Sequence, residues 1–346
     1  MQQWIKEIAR GKRGSNDLTY EQAKQAAKEI GEGKATDAQV AAFFIAQRLK
    51  TEMPDELLAF VDVFSALTNK IDLEEDVKKR TIDFASPYAG RNSFFATIPV
   101  SVLLAERGIP AFLHCSEALP PKFGVTIADV LNELLIHTDK NAQQIKHDLT
   151  YTNIGFAQVE QFSPPLSVVK HIRHEIGVRT LINTAEKLLN LSGATSIMMG
   201  AFHRTAINKI APIFESLSFD QVYIVQGVEG SEDVPVHRNS FVYKIINGEM
   251  ESFIVNPKEY HLYVEEEKFN KNIPVQTQAD MILSILNGEK DEKLEYAYNQ
   301  VVFNAGLRYY LFGYNETIEE GINYAKKQLE SKVGYKKLQE WKSNHY

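Results

Sequence analysis

The chain of 346 residues has a single cysteine, Cys115. No intrachain disulfide can form and no cysteine-based metal cluster exists. No apolar run reaches the roughly 18 residues of a membrane span, so no membrane partner is expected. The opening MQQWIKEIARGKRGS lacks the apolar core of a secretory signal, and a cytoplasmic protein is the expectation. Positive charge is also short. Lys and Arg number 38 against 45 Asp and Glu, a net charge of −7. That balance argues against a dedicated nucleic-acid binder, because phosphate contacts need clustered cations. Local exceptions are Arg10, Lys12 and Arg13 near the start and a run of lysines between 326 and 342. Solvated helix faces are the plain explanation of both.

Strand patterns are missing from the first 76 residues, and helix signals fill them. LTYEQAKQAAKEIGEG carries a capping box, Thr19 with Gln22, and stops at Gly31 and Gly33. ATDAQVAAFFIAQRLKT repeats the device with Thr36 and Gln39, and Val40, Phe43, Phe44 and Leu49 follow helical spacing. Pro54 and the acids after it open a third helix. After residue 80 the texture changes. TIDFA, AFLHC, SIMMGA, QVYIVQG and SFVYKII read as buried strands. Helical stretches over 98–107, 126–136, 165–176 and 204–217 separate several of them, and 276–346 returns to helix. The expected class is α/β: a small all-α N-terminal domain over 1–76, with helices near 165–185 packing against it, and a large α/β domain over 77–346 with a mostly parallel sheet flanked by helices. In such sheets ligands bind at the carboxyl ends of the strands. The loops 85–93, 114–124, 200–205 and 226–239 therefore matter most.

Three segments carry a family likeness. EIGEGKATDAQVAAFFIAQRLKTEMPDEL looks like a family's helical N-terminal domain. GIPAFLHCSEALPPKFG is similar to G-x-x-V-A-K-H-G-N-R-x-x-S-S-K-S-G. HIRHEIGVRTLINTAEKLLNLSGA is similar to V-R-x-x-L-G-x-R-T-x-F-N-x-L-G-P-L-x-N-P, with Arg173, Gly177, Arg179, Thr180, Asn183 and Asn190 in register. The chain thus resembles the anthranilate phosphoribosyltransferases of glycosyl transferase family 3, whose fold the pyrimidine nucleoside phosphorylases share.

The resemblance implies a site. In that family a G-T-G-G-D loop cradles phosphoribosyl pyrophosphate through backbone N–H groups that glycines expose. Here Ser86, Pro87, Tyr88, Ala89 and Gly90 stand at those positions, followed by Arg91 and Asn92. Pro87 has no N–H to offer. Arg91 is expected to hold a phosphate through its guanidinium fork instead. His114 and Lys122 fall on the family's His and Lys. His114 reads either as ligand-facing or as a strand end that caps a turn. Arg173 falls on the arginine that holds the anthranilate carboxylate. Glu232 and Asp233 fall, in reversed order, on the pair that binds Mg²⁺, with Glu229 nearby.

SPYAGRNS, QGVEG and Arg10-Gly11-Lys12 also match a divergent branch of the family that has been linked to nucleic-acid binding. Two readings follow. One is a pentosyltransferase with an altered loop, using phosphoribosyl pyrophosphate and Mg²⁺, with tryptophan-pathway chemistry disfavoured. The other is a non-catalytic nucleic-acid binder, using Arg10, Lys12, Arg13, Lys170 and Arg179. A nucleoside phosphorylase ranks last, since its phosphate loops are not found intact. A homodimer through the helical domain is the family expectation, and Phe43, Phe44, Leu57 and Phe60 are apolar positions compatible with it or with a core.

Overall fold

Side chains that return to their own backbone start the N-terminal helices. Thr19 and Gln22 form a reciprocal capping box at the head of α2 (Tyr20–Gly31), as Thr36 and Gln39 do at α3 (Asp37–Lys50). A computed structural model of the protein describes residues 1–11, 13–202, 204–246 and 249–344. In it α1 (Gln2–Ile8), α2, α3 and α4 (Pro54–Ala66) form a helical bundle. Phe43, Phe44, Phe60 and Phe64 stack in its centre with ring centroids 5.7 to 6.4 Å apart. Each such ring buried contributes about 1.5–3 kcal/mol. Phe43, Phe44, Leu57 and Phe60 are all core, so they present no surface to a second copy. Glu56 is fully buried and fully satisfied. It accepts from the N–H groups of Leu18 and Met53, from Gln47 and from Lys50, which ties three segments of the bundle together.

The second layer system is a seven-stranded sheet in the order β3-β2-β1-β4-β5-β6-β7. Its strands are β1 (Ile82–Ala85), β2 (Ala111–Cys115), β3 (Ile154–Gln158), β4 (Ser196–Gly200), β5 (Gln221–Val225), β6 (Ser240–Ile246) and β7 (Glu249–Val255). The first five pair in parallel, and β6 and β7 close the edge antiparallel. Helix α5 (Glu75–Arg80) leads into β1, and between the strands run α6 (Thr97–Glu106), α7 (Ile127–Glu133), α8 (Ala142–Tyr151), α9 (Pro164–Ile176), α10 (Ile182–Ala185) and α11 (Arg204–Ile210). The tail adds α12 (Val275–Leu286), α13 (Glu295–Leu311), α14 (Ile318–Glu330) and α15 (Val333–Ser343). Helix α6 is buried from Thr97 to Ala105, with α13 and α15 packed against it.

Strands β3 and β7 and helix α8 have no counterpart in the sequence reading. In β3 the sequence IGFAQ puts a glycine inside a short run, which weakens the strand pattern. Strand β7 is an exposed edge, EMESFIV, with no apolar face to signal it. Helix α9 packs on α2 and α3, and α10 on α4, so the 164–185 segment lies between the bundle and the sheet. Among the described residues no helix is long and apolar enough to cross a membrane.

Candidate functional site

The carboxyl ends of β1, β4 and β5 open on one cleft. It holds a cavity of about 210 Å³, lined by the 87–89 loop, Met199 to Phe202, Glu229 and Gly230, and on the far wall by Arg179, Asn183 and Lys187. The glycine of the first loop serves a contact between loops. Gly90 has φ +69°, and a Cβ there would lie 2.3 Å from the Gly124 carbonyl oxygen. At Gly124 a Cβ would lie 2.7 Å from the Arg91 nitrogen. The two backbones cross so closely that Arg91 N–H donates to Val125 at 2.9 Å and Gly124 N–H to Ala89 at 3.1 Å.

Arg91 turns inward. Its Nη1 donates to Ser231 Oγ at 2.6 Å, and its Nη2 to the Phe94 carbonyl at 2.9 Å and to Asp233 Oδ2 at 2.5 Å. The guanidinium lies 4.0 Å from the centroid of the Phe95 ring and is fully buried. Arg308, from α13, reaches the other oxygen of Asp233 at 2.9 Å, and the Thr97 N–H donates to Oδ2 at 3.0 Å. Burial lowers the Arg308 pKa, and the carboxylates of Asp233 and Glu232 pull it back. Sequence reasoning missed Arg308. Its signal was a lone cation in the apolar run QVVFNAGLRYYLF, which demands a buried counter-ion.

Glu232 is buried beside this triad. Its Oε1 accepts from Ser86 Oγ at 2.6 Å, and its Oε2 has no hydrogen-bond partner among the described residues. A magnesium ion asks for near-octahedral oxygen ligands. Both oxygens of Asp233 are engaged by arginines, two guanidinium charges already balance it, and of the pair only Glu232 Oε2 lacks a hydrogen bond among the described residues. The donor set around Asp233 does not fit magnesium.

The remaining loop residues are engaged as well. His114 is buried between two partners, with the Tyr88 hydroxyl on Nδ1 and Asp83 Oδ1 2.7 Å from Nε2. Tyr88 thus lines the cleft with a His and an Asp lined up behind it. Burial pushes its phenol well above the ordinary tyrosine range. The N–H groups of Asn92 and Ser93 donate to Glu229 Oε1 at 3.0 and 2.9 Å, and Lys122 donates to Glu229 Oε2. Arg173 is buried in an ion pair with Glu186 at 2.6 Å. Glu186 and Lys187 occupy the Gly-Pro positions of the family pattern, and Lys187 was not foreseen as a site residue. Burial lowers the Lys187 pKa, and the carboxylates of Glu186 and Glu232 partly offset it. The side chains of Lys187 and Arg179 have no ion-pair or hydrogen-bond partner among the described residues.

Of the cations named for nucleic acid, Arg10 pairs with Glu7 and Lys170 with Glu117, both at 2.6 Å. Arg13 and Arg179 are exposed, and Lys12 lies outside the described residues.

A helical bundle beside a largely parallel sheet, with the cleft at the strand ends, is the two-domain arrangement of a family of transferases. Two family signatures match the chain: the helical bundle domain of the glycosyl transferase family over residues 2–67, and its a/b domain over 89–332. The chain belongs to that glycosyl transferase family. Among similar proteins, an uncharacterized protein of Aquifex aeolicus is 28% identical, over 95% of this chain and 98% of its own length. The anthranilate phosphoribosyltransferase of Persephonella marina is 24% identical, over 98% of this chain and 97% of its own length. Among solved structures, the anthranilate phosphoribosyltransferase of Thermus thermophilus superposes with a TM-score of 0.82 at 22% identity, covering 98% of each chain. That of Saccharomyces cerevisiae, in complex with PRPP and Mg, superposes with a TM-score of 0.81 at 16% identity, covering 98% of this chain and 96% of its own.

Proposed function

We propose that this protein is a divergent pentosyltransferase-family member that binds a phosphate-bearing small molecule, of the phosphoribosyl pyrophosphate class, without magnesium held on Asp233. Lys187 carries the reading. It is an ammonium with no hydrogen-bond or ion-pair contact among the described residues, half-buried in the cleft and facing the altered 86–91 loop. A desolvated cation attracts a phosphate far more strongly than one in water. Arg179 adds a guanidinium fork on the same wall, suited to bidentate phosphate contact. Charge on the ligand is then answered by two side chains of the 179–187 segment.

Anthranilate is not the acceptor this cleft favours. The carboxylate it would bring to Arg173 is already supplied by Glu186. Calorimetric titration with phosphoribosyl pyrophosphate, in Mg²⁺ and again in a chelator, tests the proposal. Micromolar binding that survives chelation and weakens in Lys187→Met is expected. Absence of binding at millimolar ligand, or binding that requires Mg²⁺, removes it.

A second reading, nucleic acid, has its own support. Phe123 and Phe202 are 56% and 59% exposed, Phe202 on the cavity wall and Phe123 next to Lys122, and bases stack on exposed aromatic rings beside cations. Single-stranded oligonucleotide binding that falls steeply with salt would favour it.

A further inference from the structure

Glu229 fills a place that the neighbouring loops build for an anion. Two successive backbone N–H groups, Asn92 and Ser93, point at one of its oxygens from 3.0 and 2.9 Å, and the Lys122 ammonium meets the other. Consecutive amides aimed at one oxygen, with an ammonium beside them, are how a loop holds a free oxyanion. The donors come from two loops locked by the Gly90–Gly124 crossing, so they stay together whatever lies between them. The carboxylate comes from elsewhere, out of a short turn at the end of β5. It arrives from a costly backbone: Glu229 has φ +53° and ψ 22°, the left-handed region, which costs a residue with a side chain about 1–2 kcal/mol. Glu229 also lines the cleft cavity, and its side chain keeps 21% of its surface exposed, so the contact has an open side.

We infer that Asn92, Ser93 and Lys122 form an oxyanion site, of the phosphate or sulfate class, and that Glu229 is its built-in competitor. An incoming oxyanion takes the place of the carboxylate as the 228–230 turn swings away, and the turn returns when the ligand leaves. Removing the carboxylate then exposes a finished site. This deepens the proposed function, on which it rests for the ligand class, and it adds a second anchor across the cavity from Lys187. The wild-type protein should hold inorganic phosphate poorly, because a tethered carboxylate outcompetes a free ion.

The test is titration of the full chain with inorganic phosphate and with sulfate, by calorimetry and ³¹P NMR. Wild type, Glu229→Ala, Glu229→Gln and the double variant Glu229→Ala/Lys122→Met are compared. Glu229→Ala is expected to bind phosphate at least about tenfold more tightly than wild type, the scale of one charge-assisted hydrogen bond. Glu229→Gln keeps the side chain's size, folds with it, and gains by less. The double variant loses the gain. No gain in either single variant overturns the inference, and so does a gain that Lys122→Met leaves intact. If Glu229→Ala does not fold, Glu229→Gln alone decides. The two ideas fail separately. A phosphate gain in the variants alongside wild type that ignores phosphoribosyl pyrophosphate keeps the oxyanion site and removes the proposed ligand. Wild type that binds the pyrophosphate ester, with variants that gain nothing, does the reverse.

Discussion

Replacing Asp233 with Asn separates a structural carboxylate from a metal ligand. In the structure Asp233 answers two buried guanidinium groups, Arg91 at 2.5 Å and Arg308 at 2.9 Å, and all three residues are fully buried. Asparagine keeps the shape, removes the charge and turns an NH₂ toward one arginine. Removing one partner of a buried ion pair costs about 3–5 kcal/mol, because the remaining charge stays desolvated and unanswered. At about 2.1 cal/mol/K of unfolding entropy per residue, the 346 residues melting as one unit shift by about 1.4 °C per kcal/mol. The expected fall in melting temperature is therefore about 4–7 °C. It should be measured by scanning calorimetry in a chelator, where no metal contributes. Arg91→Met should cost less, since Arg308 still answers the carboxylate, and the double variant should cost less than the sum by about 1 kcal/mol or more. A melting temperature in chelator unchanged within 1 °C for Asp233→Asn would refute the reasoning. If Mg²⁺ also stabilised only the wild type, Asp233 would be a metal ligand after all.

Gly90→Ala should destabilise the fold by about 2 kcal/mol or more, since φ +69° and a 2.3 Å approach to the Gly124 oxygen leave no room for a methyl; a melting curve that matches wild type would contradict the loop crossing. Lys187→Met should leave the melting temperature unchanged or raised, because an unpartnered, desolvated ammonium contributes no stability, while weakening any phosphate ligand in the cleft by about tenfold; calorimetry reads both. Glu229 should titrate below the ordinary glutamate range: burial raises its pKa, but hydrogen bonds and charge from Lys122 and Ser93 outweigh that. Its folded pKa lies under its unfolded one, so its contact stabilises fully above the ordinary glutamate range and is lost as pH falls through the depressed value. The amide shifts of Asn92 and Ser93 should report that titration by NMR, and an apparent pKa at or above the ordinary range would count against the clamp.

The helices of the bundle were legible because their signals are local. Thr19, Gln22, Thr36 and Gln39 lie within one turn of the backbone groups they satisfy, so spacing alone reveals them. Four of the five parallel strands, β1, β2, β4 and β5, were legible because both faces are covered and their runs are largely apolar; β3, with Gly155 inside it, was not. The loops that line the cleft were legible as stretches of sequence, and the contacts their side chains make were much less so. Arg91 was expected at a phosphate, but its partners Ser231 and Asp233 lie about 140 residues away. Nothing within its own loop distinguishes an arginine that turns in from one that turns out. Arg173 and Glu186 sit thirteen positions apart across two elements, and the Glu-Lys step at 186–187 reads as an ordinary surface pair until the fold carries it into the cleft. Pairings that depend on which loops cross are set by tertiary geometry, and a single sequence does not display them.

The crossing of Gly90 and Gly124 makes the two loops a single mechanical part. Neither backbone can slide while the other's carbonyl lies against its α-carbon, and the paired N–H bonds on either side close the joint. Amides from 89–93 and from 122–125 should therefore open together in hydrogen exchange, with one shared free energy. A ligand that touches only one loop would then be felt in the other, without any side chain passing the message.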